Sequence, residues 1–411
     1  YHKCFLHGLI VSCTESAAGW TLPAGCLALP LIMPTDHMKV LVVAGARPNF
    51  MKVAPVLRAL EAAGHESILV HTGQHYDAAM SDTFFKELGI KAPDFHLGVG
   101  TASHAVQTAR IMEAFEPVLI KVHPQWVVVV GDVNSTMAAT LVAAKIRTET
   151  HSHIAHVEAG LRSRDWRMPE EINRVVTDRL ADLLLTPSED AAANLIAEGI
   201  PESNIRFVGN VMIDTLMLQL PIARATNTLE RLGLRRRHYV AATLHRPSNV
   251  DDPAALAAVL EGLALVAESL PVVLPLHPRT LKNIERFHLG PMLTPLTVLE
   301  PLGYTQMLAL TDGAQCVLTD SGGIQEETTA LGVPCVTLRE QTERPVTITH
   351  GTNHMAPWPL TPRGILGAYA DSVAAVAQAT PPRPAGWDGH AAERIVTALE
   401  EKRPVKHYSP S

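Results

Sequence analysis

Short apolar runs alternate with stretches of helical periodicity along most of the chain, and this alternation limits the folds open to it. Runs that are apolar throughout are typical of parallel strands covered by helices on both faces. One such helix is predicted at residues 252–270, with Asp252 placed to cap its N-terminus. The sequence therefore predicts an α/β fold with doubly wound parallel sheets. The predicted strands are residues 39–45, 66–73, 126–132, 153–160, 182–188, 205–210, 239–245, 271–278, 314–321 and 334–340.

So many strands exceed what one sheet usually holds, so we predict two doubly wound domains that face one cleft. We place the break in the polar stretch at residues 209–238, which gives an N-terminal domain at 38–208 and a C-terminal domain at 209–375. A closing segment at 385–403 contains an amphipathic helix, and we expect this helix to pack back on the first domain.

The first 37 residues differ from the rest, because they show no clear period and no starting methionine. Met38 opens a buried strand, and we interpret residues 1–37 as an extraneous or disordered leader. The alternative is a signal peptide, since "FLHGLIVSC" resembles a short apolar core.

Charge and composition exclude several classes of protein. The formal net charge of -7 disfavours a general nucleic-acid binder, although local basic groups can still hold a small anion. No apolar run approaches the roughly 18 residues needed to span a bilayer, so we predict no membrane segment. The five cysteines lack metal-binding spacing and are too few for a disulfide scaffold, which predicts a cytoplasmic location.

Polar clusters follow strand after strand. They read "GARPN", "GD" and "HVEAGLR" in the first half, and "LHRPSN", "LHP" and "DSGG" in the second. Open α/β sheets bind ligands beyond the carboxyl ends of their strands. Three clusters in each half therefore predict one shared cleft between two sheets.

The stretch "TDSGGIQEE" contains Ser321, Gly322 and Gly323 directly before a predicted helix. Such a turn can be explained as a helix cap alone. The free N–H groups of the helix also form an anion site, and glycines permit close approach. Basic side chains at Arg47 and Lys52 bracket the first helix of the other domain, where their default interpretation is surface charge.

Three carboxylates are candidates for proton transfer. Asp132 and Glu158 directly follow apolar strands, where a charge is costly without a partner. Glu170 begins a helix whose first residue is Pro169, and it can simply pair with Arg174. Convergence of the three on one cleft would separate their pKa values, as proton transfer requires.

Four histidines have both structural and functional interpretations. His245 and His277 each end a strand, and a histidine there is often structural. His151 and His153 would point to one side of a strand, but no HExxH motif accompanies them, so we predict no metal.

Taken together, the motifs resemble the non-hydrolysing UDP-N-acetylglucosamine 2-epimerases. They occur in the family's order from Met38 to about Lys402: "GARPNFMKVAPV", "TGQHYD", "VVVVGDVNST", "HVEAGLRS", "MPEEINRVVTD", "VGNVMIDTL", "TLHRPSN", "LHPRT", "LTDSGGIQEE" and "TERPVT". The resemblance implies a glycosyltransferase-B architecture with two Rossmann-like domains, a homodimer, and no cofactor. It also implies interconversion of UDP-N-acetylglucosamine and UDP-N-acetylmannosamine through elimination and re-addition of UDP, with 2-acetamidoglucal as the intermediate.

The resemblance also implies roles for individual residues. Ser321, Gly322 and Gly323 would hold the diphosphate, and Glu327 would take the ribose hydroxyls. The implied catalytic residues are Asp132, Glu158, Glu170 and His245, and the other implied substrate contacts are Arg47, Lys52, His277, Leu302, Met307 and Arg344.

Three departures from the family pattern, and several rival functions, remain open at this point. Asn49 and Val346 stand where the family often has Glu, and "QHYDAAM" replaces the stretch linked to activation by substrate. A hydrolysing epimerase would share nearly every motif, and a glycosyltransferase would share the nucleotide half. A sensor without catalysis would be expected to lose one of the four catalytic positions, and all four are present. Related 2-acetamido sugars remain candidate substrates.

Overall fold

The computed structural model describes residues 2–6, 9–13, 37–73, 88–378 and 383–402. The chain divides into two units, Tyr1–His37 and Met38–Ser411. Within the first unit, His2–Leu6 and Leu9–Cys13 pair as an antiparallel hairpin, which the sequence did not predict.

The first sheet of the second unit has seven strands, all in parallel pairs. Their order across the sheet is Phe95–His96, Glu66–His71, Lys39–Ala44, Trp126–Val130, His153–Val157, Leu183–Thr186 and Ile205–Phe207. The described helices of this half are Arg47–Ala62, His104–Val122, Asn134–Lys145, Arg147–Thr150, Pro169–Leu180, Glu189–Ala197 and the 3-10 turn Glu202–Asn204.

The second sheet has six strands, again in parallel pairs. Their order is Thr297–Leu299, Val272–Pro275, Val240–Thr243, Cys316–Thr319, Cys335–Thr337 and Asn353–Met355. The helices from residue 211 onward are Val211–Ala225, Thr228–Arg231, Pro247–Val250, Pro253–Ala267, Pro278–Arg286, the 3-10 turn Gly290–Leu293, Tyr304–Gly313, Gly322–Leu331, Val346–Thr349, Pro362–Gln378 and Ala391–Glu401.

Every predicted strand is present, but each ends one to three residues earlier than predicted. The short strands Phe95–His96, Thr297–Leu299 and Asn353–Met355 were missed. All three lie at sheet edges, and two or three residues of mixed polarity carry no periodic signal. The predicted cap is confirmed, since the Asp252 side chain accepts the Ala255 N–H at 2.8 Å.

The last helix, Ala391–Glu401, packs on the first helix of the N-terminal half, where Ile395 and Leu399 share a buried cluster with Leu60. Asp214 accepts the N–H groups at its start, at 3.1 Å from Ala391 and 2.7 Å from Ala392. The proposed domain boundaries remain predictions, although the strands of the two sheets fall on either side of residues 209–238.

Candidate active site

The polar groups that follow the strands meet in one cleft. Because all described strands within each sheet are parallel, their carboxyl ends lie at the same end of the sheet, where ligand sites of open α/β sheets are found. A contact joins the carboxyl ends of the two sheets directly, since Arg344 Nη2 donates to Glu158 Oε1 at 3.1 Å. Glu158 follows a strand of the first sheet, and Arg344 follows the second sheet's strand Cys335–Thr337.

Glu158 lies between two cations, because its second carboxylate oxygen forms an ion pair with Lys52 Nζ. The carboxylate is buried, and its backbone has a φ of 71°, a left-handed conformation that side chains rarely adopt. Gly131 provides room for this pair. Its φ is +65°, and an added Cβ would lie 2.9 Å from Lys52 Nζ.

Asp132 forms an ion pair with Arg174 and keeps 25% of its side chain exposed. Burial raises the pKa of Asp132, but Arg174 and Lys52 outweigh it, so the pKa is lowered from its usual value. Lys52 thus acts on both Asp132 and Glu158. The structure brings these two predicted carboxylates into one network of shared cations.

Glu170 does not form the ion pair with Arg174 that was its alternative, purely structural interpretation in the sequence. Arg174 Nη1 instead contacts Glu171 Oε2 at 2.8 Å, because Glu171 is held beside it by the N–H groups of Ser163 and Arg164, at 2.9 and 2.8 Å. Glu170 is half-buried, and its charge acts on Arg246 of the other half.

The predicted phosphate site lies at the start of helix Gly322–Leu331, where Ser321 is the N-cap residue. A Cβ on Gly322 would lie 2.7 Å from Arg344 Nη1, so the guanidinium occupies the space that the glycine leaves free. Arg344 therefore extends from the helix N-terminus to Glu158. Gly323 is half-buried in the same turn.

Arg344 is balanced by three carboxylates, two of which come from its own half. Its Nε donates to Glu326 at 2.7 Å, and its Nη1 lies 3.3 Å from Glu343. Burial lowers the pKa of Arg344, but Glu326, Glu158 and Glu343 outweigh it, and the pKa is raised. This side chain is therefore a permanent cation that contacts both halves.

His245 is oriented by a carboxylate at the end of the neighbouring strand, since its Nδ1 lies 2.9 Å from Asp320 Oδ1. Burial raises the pKa of Asp320, but His245 outweighs it and the pKa is lowered. The His277 ring lies 5.8 Å from the His245 ring, centroid to centroid. The Nδ1 of His277 accepts the Arg279 N–H at 3.2 Å, so this histidine also caps helix Pro278–Arg286.

Glu327 is buried one helical turn behind the phosphate site. Burial raises its pKa to about 7, although the nearby Tyr304 hydroxyl opposes the increase. Leu302 and Met307 are half-buried and pack against the adjoining core cluster. The resemblance implies that Glu327, Leu302 and Met307 contact the substrate, and this remains a prediction.

Residues 58–400 match the family model described as UDP-N-acetylglucosamine 2-epimerase. The chain belongs to the UDP-N-acetylglucosamine 2-epimerase family. A UDP-N-acetylglucosamine 2-epimerase from Methanocaldococcus jannaschii is 40% identical over 324 residues, covering 77% of this chain and 87% of that protein. A UDP-2,3-diacetamido-2,3-dideoxy-D-glucuronate 2-epimerase from Pseudomonas aeruginosa is 44% identical over 321 residues, with the same two coverages, 77% and 87%.

Solved structures of the epimerase family share the fold. The Methanocaldococcus jannaschii enzyme in complex with UDP-GlcNAc and UDP matches with a TM-score of 0.79 at 36% identity, covering 89% of this chain and 100% of that chain. The Neisseria meningitidis enzyme bound to UDP-GlcNAc matches with a TM-score of 0.77 at 28% identity, with coverages of 89% and 100%. The predicted family, its enzyme class and its glycosyltransferase-B architecture are confirmed.

One departure from the epimerase pattern has a structural reason. The Asn49 Oδ1 accepts the N–H groups of Gly45 and Ala46 at 3.2 and 3.0 Å, while its Nδ2 donates to the Val130 carbonyl at 3.2 Å. A glutamate could not make that donation. Val346, the second departure, packs beside the cluster around Ile213. The side chain of Arg47 and the stretch "QHYDAAM" lie outside the described residues.

Several charged groups of the epimerase site were missed in the sequence. Each is a partner of a predicted residue, and its signal was only proximity in sequence, as with Glu326 beside Glu327 and Glu343 beside Arg344. The missed residues are Arg174, Asp320, Glu326 and Glu343. In the part of the chain that the structure describes, no cluster of His, Cys, Asp and Glu has the makeup of a metal site. No described helix is long and apolar enough to cross a membrane.

Proposed function

We propose that this protein interconverts UDP-N-acetylglucosamine and UDP-N-acetylmannosamine by eliminating UDP and adding it back, without releasing the sugar. The observation that carries the proposal is the position of Arg344. Its guanidinium lies at the phosphate-binding helix and donates to the buried Glu158 of the opposite half at 3.1 Å. A leaving diphosphate and a proton-transfer carboxylate would therefore share one cation.

In the proposed elimination, a carboxylate removes the C2 proton while the C1–O bond to UDP breaks. The C2–H electron pair becomes the C1=C2 double bond of 2-acetamidoglucal, and the C1–O pair leaves with the phosphate oxygen. Re-addition forms the C1–O bond again and delivers a proton to the opposite face of C2. Fixed donors favour this route because they stabilise charge where it develops.

Asp132 and Glu158 are the carboxylates that we propose for these proton transfers. They share Lys52, so we assign the role to the pair. We propose that Glu170 assists from the helix start and that His245, oriented by Asp320, faces the reacting sugar. Ser321 and the two glycines that follow would hold the diphosphate together with Arg47 and His277.

The nucleoside would occupy the other end of the cleft. We propose that Glu327 accepts the ribose hydroxyls and that Leu302 and Met307 line the uracil pocket. The Methanocaldococcus jannaschii structure, which contains UDP-GlcNAc and UDP, supports this class of ligand. The name of the Pseudomonas aeruginosa relative makes a diacetamido uronate the second candidate substrate.

Proton NMR of the purified protein with UDP-N-acetylglucosamine in D2O tests the proposal. We expect deuterium at C2 and the appearance of UDP-N-acetylmannosamine with the nucleotide attached. Free N-acetylmannosamine together with UDP would identify a hydrolysing enzyme instead. If C2 keeps its proton, the substrate is wrong, and the same assay with UDP-2,3-diacetamido-2,3-dideoxy-D-glucuronate tests the second candidate.

A further inference from the structure

A buried carboxylate outside the proposed catalytic set contacts the loop that carries Glu158 directly and reaches the Asp132 turn through a histidine. Asp178 lies on helix Pro169–Leu180 and is almost fully buried. Its Oδ1 lies 2.6 Å from His156 Nδ1, and its Oδ2 accepts the Gly160 N–H at 3.1 Å. Gly160 is two residues beyond Glu158.

His156 extends this contact to the other loop. The ring is fully buried, and its Nε2 lies 2.8 Å from the carbonyl oxygen of Gly131, the residue before Asp132. A carbonyl can only accept, so Nε2 must carry a proton. The other nitrogen, Nδ1, faces the Asp178 carboxylate, so the ring connects Asp178 to the Gly131 carbonyl.

Asp178 also forms an ion pair with an arginine. Arg162 Nη1 lies 2.7 Å from Asp178 Oδ2, and Arg162 Nη2 lies 2.7 Å from Glu198 Oε2. Arg162 therefore connects Asp178 with Glu198. Buried ion pairs of this kind contribute little to stability compared with apolar packing, so their presence beside a site favours a role in geometry.

The geometry at Glu158 requires such a restraint. A non-glycine residue with a φ of 71° is strained, and strained residues persist only where the surroundings fix them. Gly160 follows with a φ of +82°, and a Cβ there would lie 2.3 Å from the Ala191 carbonyl oxygen. The bond from the Gly160 N–H to Asp178 holds this segment on the side away from the cleft.

We propose that Asp178 is a positioning residue for proton transfer at C2. Its carboxylate fixes the position of the Asp132 turn through His156 and Gly131. It fixes the position of the Glu158 loop through Gly160. Because Asp178 contacts His156, Gly160 and Arg162, its loss should reduce the chemical step and spare the nucleotide site. This inference rests on the proposed function.

The test compares Asp178→Asn with a matched control, Asp182→Asn. Asp182 also accepts a backbone N–H, from Ile154 at 2.9 Å, and pairs with Arg147 at 2.9 Å. It directly precedes strand Leu183–Thr186, so it lies at the amino ends of the strands, away from the cleft. We expect Asp178→Asn to lower kcat for C2 exchange by about 100-fold, because small misplacements of reacting groups cost about that much. Asp182→Asn should lower it by less than about threefold, and both should bind UDP within about threefold of the unaltered protein.

Equal losses of kcat in the two variants, or a loss of UDP affinity that matches the loss of kcat, would overturn the inference. If Asp178→Asn does not fold, His156→Gln, which removes the ring between Asp178 and Gly131, is compared in its place. An unchanged kcat in that variant overturns the inference. C2 exchange by the unaltered protein is measured first, so a failure of the proposed function is seen separately.

Discussion

The two halves of the cleft hold charge in different ways. In the N-terminal half, carboxylates stand at the strand ends, and the backbone at Gly131 and Glu158 is left-handed. In the C-terminal half, helix N-termini and histidines face the cleft, and carboxylates such as Glu326 lie behind a cation. The first arrangement suits the transfer of protons, and the second suits the holding of an anion. Arg344, a residue of the C-terminal half, contacts carboxylates of both halves.

The largest effect should come from the N-terminal half alone. Asp132→Asn should abolish turnover, by a factor of about 1,000 or more, while UDP binding stays within about tenfold. The amide cannot take a proton, but it leaves the phosphate helix unchanged. The measurement is C2 deuterium exchange by NMR alongside UDP titration by calorimetry. Normal turnover would remove Asp132 from the mechanism.

Arg344→Lys should disturb both halves together. A lysine keeps the charge, but it cannot reach Glu158, Glu326 and the phosphate site at the same time, because it lacks the planar fork of donors. We expect kcat/KM to fall by about 100-fold and UDP affinity to fall by about tenfold. If only UDP affinity falls, Arg344 does not couple the halves. The control is Arg279→Lys, because Arg279 forms an exposed ion pair with Asp251.

The fold could be predicted because its signal is local. Each central strand is an apolar run, so pattern alone located the central strands, and helix Pro253–Ala267 was placed together with its Asp252 cap. The partners of the site could not be predicted, because they depend on approach across the fold. Arg174 and Glu343 come from different halves and lie 4.0 Å apart, yet nothing in either local sequence indicates the other. Glu171 replaced Glu170 as the partner of Arg174 for the same reason, since the backbone of Ser163 and Arg164 decides which glutamate turns inward.

Two glycine substitutions, one in each half, test the same division with smaller expected effects. Gly131→Ala adds a Cβ near Lys52 Nζ at a left-handed position, at a cost of about 1 kcal/mol in stability, and should lower kcat about tenfold. Gly322→Ala adds one near Arg344 and should instead weaken UDP binding about tenfold. Gly367→Ala, where an added Cβ meets nothing within 4 Å, is the control. If both site variants have the same effect, the proposed division between the halves is wrong.

The smallest effect concerns the C-terminal half and pH. Burial raises the pKa of Glu327 from 4.5 to about 7. The carboxylate can accept two ribose hydroxyls only when ionised, so UDP affinity should fall severalfold, at most about tenfold, as the pH drops from about 8 to about 6. Calorimetric titration across this range measures the change. Glu327→Gln should bind UDP weakly and without this pH dependence, and a flat profile for the unaltered protein would exclude Glu327 as the ribose ligand.

Stability of the free protein should respond to pH in the opposite direction. A carboxyl whose folded pKa is raised binds its proton more tightly in the folded state. Its contribution to the free energy of unfolding is therefore fully present below pH 4.5 and is lost as the pH rises through about 7. The pH range that favours the ionised, ligand-binding form of Glu327 is thus the range in which burying Glu327 costs most. Bound UDP would offset that cost, so the stabilisation by saturating UDP should be larger at about pH 8 than at about pH 6.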